Sequence, residues 1–135
     1  MSVPFGPQLI GETEKTLNAL LQRALDGTGL TEAQWVTLRI AQTLEGSAGE
    51  DADLAAAARD RAHFRDAERI VSELAARDLV AGGTLTPSGR ELVATVQARI
   101  AATAGGIWKD LPADDVTAAT RVLNEVVSRA RALLA

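Results

Sequence analysis

The chain lacks several side chains on which whole classes of chemistry depend. Its 135 residues include no cysteine, no tyrosine and only one histidine. Without cysteine there is no disulfide framework, no thiolate metal site and no thiol nucleophile. No phosphate-cradling glycine loop or nucleophile elbow occurs, and the acidic residues do not cluster at a catalytic spacing. We therefore expect a protein that is not an enzyme, with no catalytic residues, no metal site and no cofactor.

Aromatic residues and long apolar runs are also scarce. Aromatics make up 3% of the chain and hydrophobic residues 47%, so the core must be built from alanine, leucine, valine and isoleucine. No apolar stretch approaches membrane-spanning length, and the first residues, MSVPFGPQ, lack the basic and apolar regions of a signal sequence. The length and composition predict one cytoplasmic domain over residues 1–135 that makes no membrane contact.

The most informative segment is Arg65–Arg90, RDAERIVSELAARDLVAGGTLTPSGR. Its first half shows apolar residues at helical spacing: Ile70, Val71 and Leu74. Two short strands then flank Gly82-Gly83, a pair that tolerates the positive φ of a tight hairpin. Thr86 can cap the helix that follows, with Pro87 in its first turn. This order predicts the recognition helix and wing of a winged helix-turn-helix.

Further helices are predicted on both sides of this segment. The first runs from about Pro7 to Asp26, and Thr31 with Gln34 forms a capping box for the second, which stops near Gly46. An acidic loop over 45–53, most simply a solubilising segment, leads into a short helix from about Asp51 to Arg59. The predicted inward stripe of the first helix comprises Ile10, Thr13, Leu17, Leu20, Leu21 and Ala24.

The C-terminal third predicts two helices, over about 87–104 and 112–134, separated at Gly105-Gly106. Apolar residues of the last helix alternate in steps of three and four: Val116, Ala119, Leu123, Val126, Ala130 and Leu133. This spacing is typical of a heptad seam, which requires a partner surface. The seam could pack within its own subunit, but self-association is the favoured interpretation.

Five segments occur in the order found in MarR-type regulators: TEAQWVTLRI, DLAAAAR, IVSELAARDLV, LTPSGRELV and DLPADDV. From about Gln8 to Leu134 the chain resembles this family, and LTPSGRELV is the most specific piece. The resemblance implies an obligate homodimer that binds operator DNA and responds to a small molecule. It implies a mainly α fold, with a winged helix-turn-helix over 31–90, a short β-hairpin wing, and dimerisation helices over 7–26 and 91–134.

Contacts with double-stranded DNA are predicted for one serine and four arginines, because guanidinium groups bind phosphates and form bidentate bonds to guanine. The predicted residues are Arg59, Arg61, Arg65, Arg69 and Ser72. The alternative is a solvated helix face on which these arginines pair with neighbouring acids.

Two isolated residues invite a functional interpretation. Trp35 is the predicted ligand-binding residue, for a small apolar or aromatic effector, although a tryptophan is more often part of a core. His63 lies three residues from Asp60 and from Asp66, but one imidazole and two common acids are weak evidence for a metal site. An exposed turn residue or a phosphate hydrogen-bonder is the favoured interpretation of His63.

The charge and the wing depart from the family pattern. The net charge is −4, and Arg59–Asp78 contains five arginines and five acids. MarR-type wings typically carry an aspartate and paired arginines, whereas the hairpin here is reduced to Gly82-Gly83 and has no basic residue. Two functions therefore stay open: a ligand-responsive repressor, and a MarR-fold ligand-sensing or protein-interaction module that has lost ordinary operator binding.

Overall fold

The structure is a computed structural model that describes residues 2–45 and 53–135. The described residues form six α helices and a two-stranded antiparallel sheet: α1 (Pro7–Leu25), α2 (Glu32–Glu45), α3 (Leu54–Ala62), α4 (Ala67–Ala76), β1 (Val80–Ala81), β2 (Thr84–Leu85), α5 (Pro87–Ala104) and α6 (Ala113–Leu134). A 3₁₀ helix, Gly105–Trp108, lies between α5 and α6. The predicted mainly helical fold with a hairpin is confirmed. Most of the predicted acidic loop lies outside the described residues.

The chain divides into two compact units, Met1–Thr103 and Ala104–Ala135. In the first unit, α2 is the central helix and contacts α1, α3, α4 and β2. Its core is almost entirely aliphatic, as the scarcity of aromatic residues requires. The side chains that are most completely buried are Leu38, Leu54, Leu74, Val93, Val96 and Thr37.

Local signals in the sequence account for several element boundaries. The predicted capping box at the start of α2 is confirmed, because the Thr31 amide donates to Gln34 Oε1 and the Gln34 amide donates to Thr31 Oγ1, both at 3.1 Å. The predicted hairpin is also confirmed. Val80 pairs with Leu85 and Ala81 with Thr84, while Gly82 and Gly83 have φ of 59° and 81°. Positive φ at both central residues matches the right-handed twist of the two strands.

The predicted inward stripe of α1 is buried only at its end. Ala24 and Leu25 join the core, Leu21 packs against it, and Ile10 is exposed. The pattern correctly identified an amphipathic helix. It could not show how much of the apolar face would find a partner within one chain.

The second unit consists of the 3₁₀ helix and α6. The 22 residues of α6 include none that is buried, although the heptad spacing runs along the whole helix. Among the described residues, no helix has both the length and the apolar character needed to cross a lipid bilayer.

Candidate nucleic-acid interface

A side-chain cap begins α3, and a left-handed residue followed by a turn separates it from α4. Asp53 caps α3 by accepting a hydrogen bond from the Ala56 amide, and α3 ends at His63, whose φ of 58° is left-handed. Asp66 then occupies the N-cap position of α4, where its carboxylate pairs with Arg69 and makes no capping hydrogen bond. Arg65 consequently lies in the turn before α4, whereas the sequence pattern had placed it in the recognition helix. The left-handed residue at the end of α3 and the turn at 65–66 delay the start of α4 to Ala67.

The α4 helix has one buried and one exposed face. Ala67, Ile70 and Leu74 enter the core. The residues of the helix that are exposed are Glu68, Arg69, Ser72, Glu73, Ala75 and Ala76. The separation of faces matches what a recognition helix needs, but two glutamates and one arginine give the exposed face a net negative charge.

The end of α4 directs the chain into the hairpin. The Leu79 amide donates to the Leu74 carbonyl and the Asp78 amide to the Ala75 carbonyl, both at 3.0 Å, while Asp78 is left-handed with φ of 58°. This is a Schellman motif with aspartate where glycine is usual. It turns the backbone sharply, so that β1 begins at Val80.

The hairpin is joined closely to α5. The Thr86 amide donates to the Leu79 carbonyl at 3.1 Å, and Thr86 Oγ1 accepts from the Gly89 amide at 3.0 Å, which confirms the predicted cap. A side chain on Gly89 would overlap the Leu79 carbonyl oxygen. Glycine is therefore required here by a close approach of two backbones, which explains its place in the LTPSGRELV segment.

Two of the four predicted DNA-contacting arginines form ion pairs with acidic side chains, and the other two do not. Arg59 lies 3.2 Å from Glu68 Oε1, and Arg69 pairs with Asp66. Arg61, in the last turn of α3, and Arg65, in the following turn, are exposed and have no hydrogen bond or ion pair within the part of the chain that the structure describes. The hydroxyl of Ser72 is exposed on α4 and likewise has no partner in that part. The structure brings the five residues to α3, α4 and the turn between them.

Two other arginines hold the α1–α2 connection. Arg99, on α5, donates from Nη1 to the carbonyls of Ala24 at 3.2 Å and Asp26 at 3.0 Å. Arg77, at the end of α4, donates to the Thr28 carbonyl at 2.8 Å. The Arg77 guanidinium is thus engaged in a backbone contact within its own subunit. Nothing in the sequence signals these bonds, because their partners are main-chain atoms about 50 and 75 residues away.

Trp35 is 4% exposed and belongs to the aliphatic core, with the Arg39 guanidinium 5.9 Å from its ring centroid. Its predicted role in binding an effector stays a prediction, since a ligand reaches the ring only if the packing around it opens. His63 is exposed. No group of three or more potential metal-ligating side chains occurs among the described residues, His63 included.

A shallow surface concavity of about 630 Å³ borders α6. All six residues that line it belong to that helix: Arg121, Val122, Asn124, Glu125, Val126 and Arg129. A single convex helix cannot enclose a small molecule, so this concavity is better described as an open helix face. No protein-family model, curated protein or solved structure matches the chain.

Proposed function

We propose that the protein is a DNA-binding transcriptional regulator that acts as a homodimer, most simply a repressor released by a small ligand. In this proposal α3, α4 and the β1–β2 hairpin constitute a winged helix-turn-helix. The order of these elements, the exposed face of α4 and the close connection of the hairpin to α5 support that assignment.

The observation that carries the proposal is the pair of free arginines at the α3–α4 turn. Arg61 and Arg65 are exposed and unpaired among the described residues, at the point where the chain enters α4. An exposed guanidinium without a carboxylate partner is ready to bind a phosphate, and phosphate contacts supply most non-specific affinity for DNA. In the proposed dimer the two subunits present four such groups.

Arg59 and Arg69 are additional phosphate contacts in this proposal. Their ion pairs with Glu68 and Asp66 are exposed to solvent. Exposed pairs of this kind contribute only about 0–1 kcal/mol, so a phosphate can replace the carboxylate at small cost. Ser72, on the same exposed face of α4, can donate to a phosphate or a base edge.

The second candidate function is a ligand-sensing or protein-interaction module that does not bind operator DNA. The net negative charge on the exposed face of α4 and the absence of any basic residue between Asp78 and Gly89 favour this candidate. A wing without a cation loses the minor-groove contact that reads both charge and shape.

The test is the salt dependence of binding to duplex DNA that flanks the protein's own gene. Four phosphate contacts predict that log K falls with log salt with a slope of about −3.6, and eight contacts predict about −7. Arg65→Ala removes one contact per subunit and should make the slope shallower by about 1.8 units. Arg121→Ala, on α6, is the matched control and should leave the slope unchanged.

One outcome would overturn the DNA-binding proposal, and another would overturn the surface assigned to it. Failure of the folded dimer to bind any duplex at low salt would refute DNA binding and leave the interaction-module candidate. An Arg65→Ala variant that behaves like the Arg121→Ala control would remove the turn from the interface. The effector is tested separately, by screening for a metabolite that releases the bound DNA.

A further inference from the structure

The α6 helix exposes its apolar residues over its full length. Val116, Leu123 and Val126 are 44%, 41% and 41% exposed, and Leu133 at the end is 87% exposed. Six of the apolar residues follow the three-and-four alternation of a heptad seam. A seam of this kind is stable in water only when a second surface covers it.

The seam shows the same pattern of large and small side chains when it is read in either direction. In an antiparallel pair of α6 helices, Val116 meets Leu133 of the second copy, Ala119 meets Ala130, and Leu123 meets Val126. All six seam residues are then used, with the larger side chains in the central layers and at the ends. The alanine layers between them allow the two helices to approach closely.

The charges beside the seam indicate the direction of pairing. Asp115 and Arg129 each precede a seam residue, so they lie on the same flank of α6, two heptads apart. In an antiparallel pair this flank faces the same flank of the other helix, which brings Asp115 of one copy alongside Arg129 of the other, twice per dimer. In a parallel pair it faces the opposite flank, where Thr120 and Leu134 offer no charge.

We propose that α6 pairs with α6 of a second copy of this chain in antiparallel orientation, with the seam layers given above and two Asp115–Arg129 ion pairs between the copies. The proposal rests on the homodimer of the proposed function and specifies its register. Arg129 lies 3.7 Å from Glu125 on its own helix, and both side chains are largely exposed. Arg129 is therefore free to reach a second carboxylate.

Charge reversal tests the orientation. Asp115→Arg and Arg129→Asp each place like charges together twice and should weaken the dimer by about tenfold. The double variant, and an equimolar mixture of the two single variants, should both recover the wild-type dissociation constant. Asp114→Arg and Arg121→Asp are the matched controls, because they reverse charges on the outer face of α6. Asp114→Arg also removes an acid from the first turn, as Asp115→Arg does.

Engineered cysteines test the register independently, since the natural chain has none. A mixture of Ala119→Cys and Ala130→Cys chains should form a disulfide between the copies on oxidation. Ala119→Cys alone should not, because the two 119 positions are separated by eleven residues, or about 16 Å along the helix, and a disulfide requires a Cα separation of about 4.4–6.8 Å.

The results distinguish this proposal from the proposed function. A dimer that is not restored by the double charge reversal, or in which Ala119→Cys chains cross-link to each other, would refute the antiparallel register while a DNA-binding dimer still stands. A wild-type protein that is monomeric at micromolar concentration would refute both. Recovery by the double variant together with the mixed disulfide would support the antiparallel pair even if no DNA bound.

Discussion

Gly89 and Gly11 are both glycines within helices, and the structure predicts opposite effects when each is replaced by alanine. At Gly89 the new Cβ would overlap the Leu79 carbonyl oxygen and lie 3.0 Å from its carbon. At Gly11, in α1, nothing lies within 4 Å of the corresponding Cβ. The pair therefore separates the effect of crowding from the intrinsic preference of alanine for helices.

The magnitude follows from what the Leu79 peptide is bound to. Its carbonyl accepts from the Thr86 amide, and its own amide donates to the Leu74 carbonyl, so it cannot move without loss of hydrogen bonds. Overpacking of this kind costs up to about 3 kcal/mol. The helix preference of alanine returns up to about 1 kcal/mol. We expect Gly89→Ala to lower the free energy of unfolding by about 2 kcal/mol, and Gly11→Ala to raise it by about 0.5–1 kcal/mol.

Urea denaturation followed by far-ultraviolet circular dichroism measures both values. Protein concentration must be the same in every experiment, because the stability of a dimer depends on it. If Gly89→Ala were as stable as the wild type, the close approach of α5 to the hairpin would be wrong. If Gly11→Ala were destabilised as strongly as Gly89→Ala, the difference in local crowding would not be the cause.

Two further predictions concern α2 and the DNA-facing surface. Thr31→Ala removes a capping hydrogen bond at the start of α2 and should lower the free energy of unfolding by about 0.5–2 kcal/mol. Thr43→Ala, within the same helix, is the control and should leave stability unchanged in the same urea titration. Equal losses in the two variants would contradict the capping role of Thr31. Glu68→Gln removes the carboxylate that competes with phosphate for Arg59 and also removes a negative charge from the exposed face of α4, so DNA should bind more tightly at every salt concentration. Glu125→Gln, which breaks an ion pair on α6, is the control, and unchanged binding by Glu68→Gln would exclude Arg59 as a phosphate contact.

The sequence predicted most helix boundaries because the signals that set them are local. The Thr31–Gln34 box, the two glycines of the hairpin and the Thr86 cap each act within a few residues, and each is found as expected. The start of α4 was placed too early because a left-handed conformation at His63 is uncommon for a residue other than glycine. No apolar pattern reports such a conformation.

The candidate interface was predictable only in part. Residue types identified the arginines, but not which of them would find carboxylate partners, because the pairing of Arg59 with Glu68 depends on how α3 packs against α4. The hydrogen bonds of Arg77 and Arg99 to the α1–α2 connection could not be predicted from the sequence. Their partners are carbonyl groups, which every residue carries, so the sequence around 24–28 contains no mark of the contact.

The two tryptophans differ in solvent exposure, so their intrinsic fluorescence can report on the two units of the chain separately. Trp35 lies in the core of the first unit, and Trp108, in the 3₁₀ helix of the second, is 63% exposed. With no tyrosine in the chain, these two indoles account for the near-ultraviolet emission. Trp35 should emit at shorter wavelength and shift to the red on unfolding, while Trp108 should already emit as a solvated indole and respond to collisional quenchers. Trp35→Phe and Trp108→Phe would separate the two signals, so that opening of the core and association of the second unit can be followed in the same sample without an added dye.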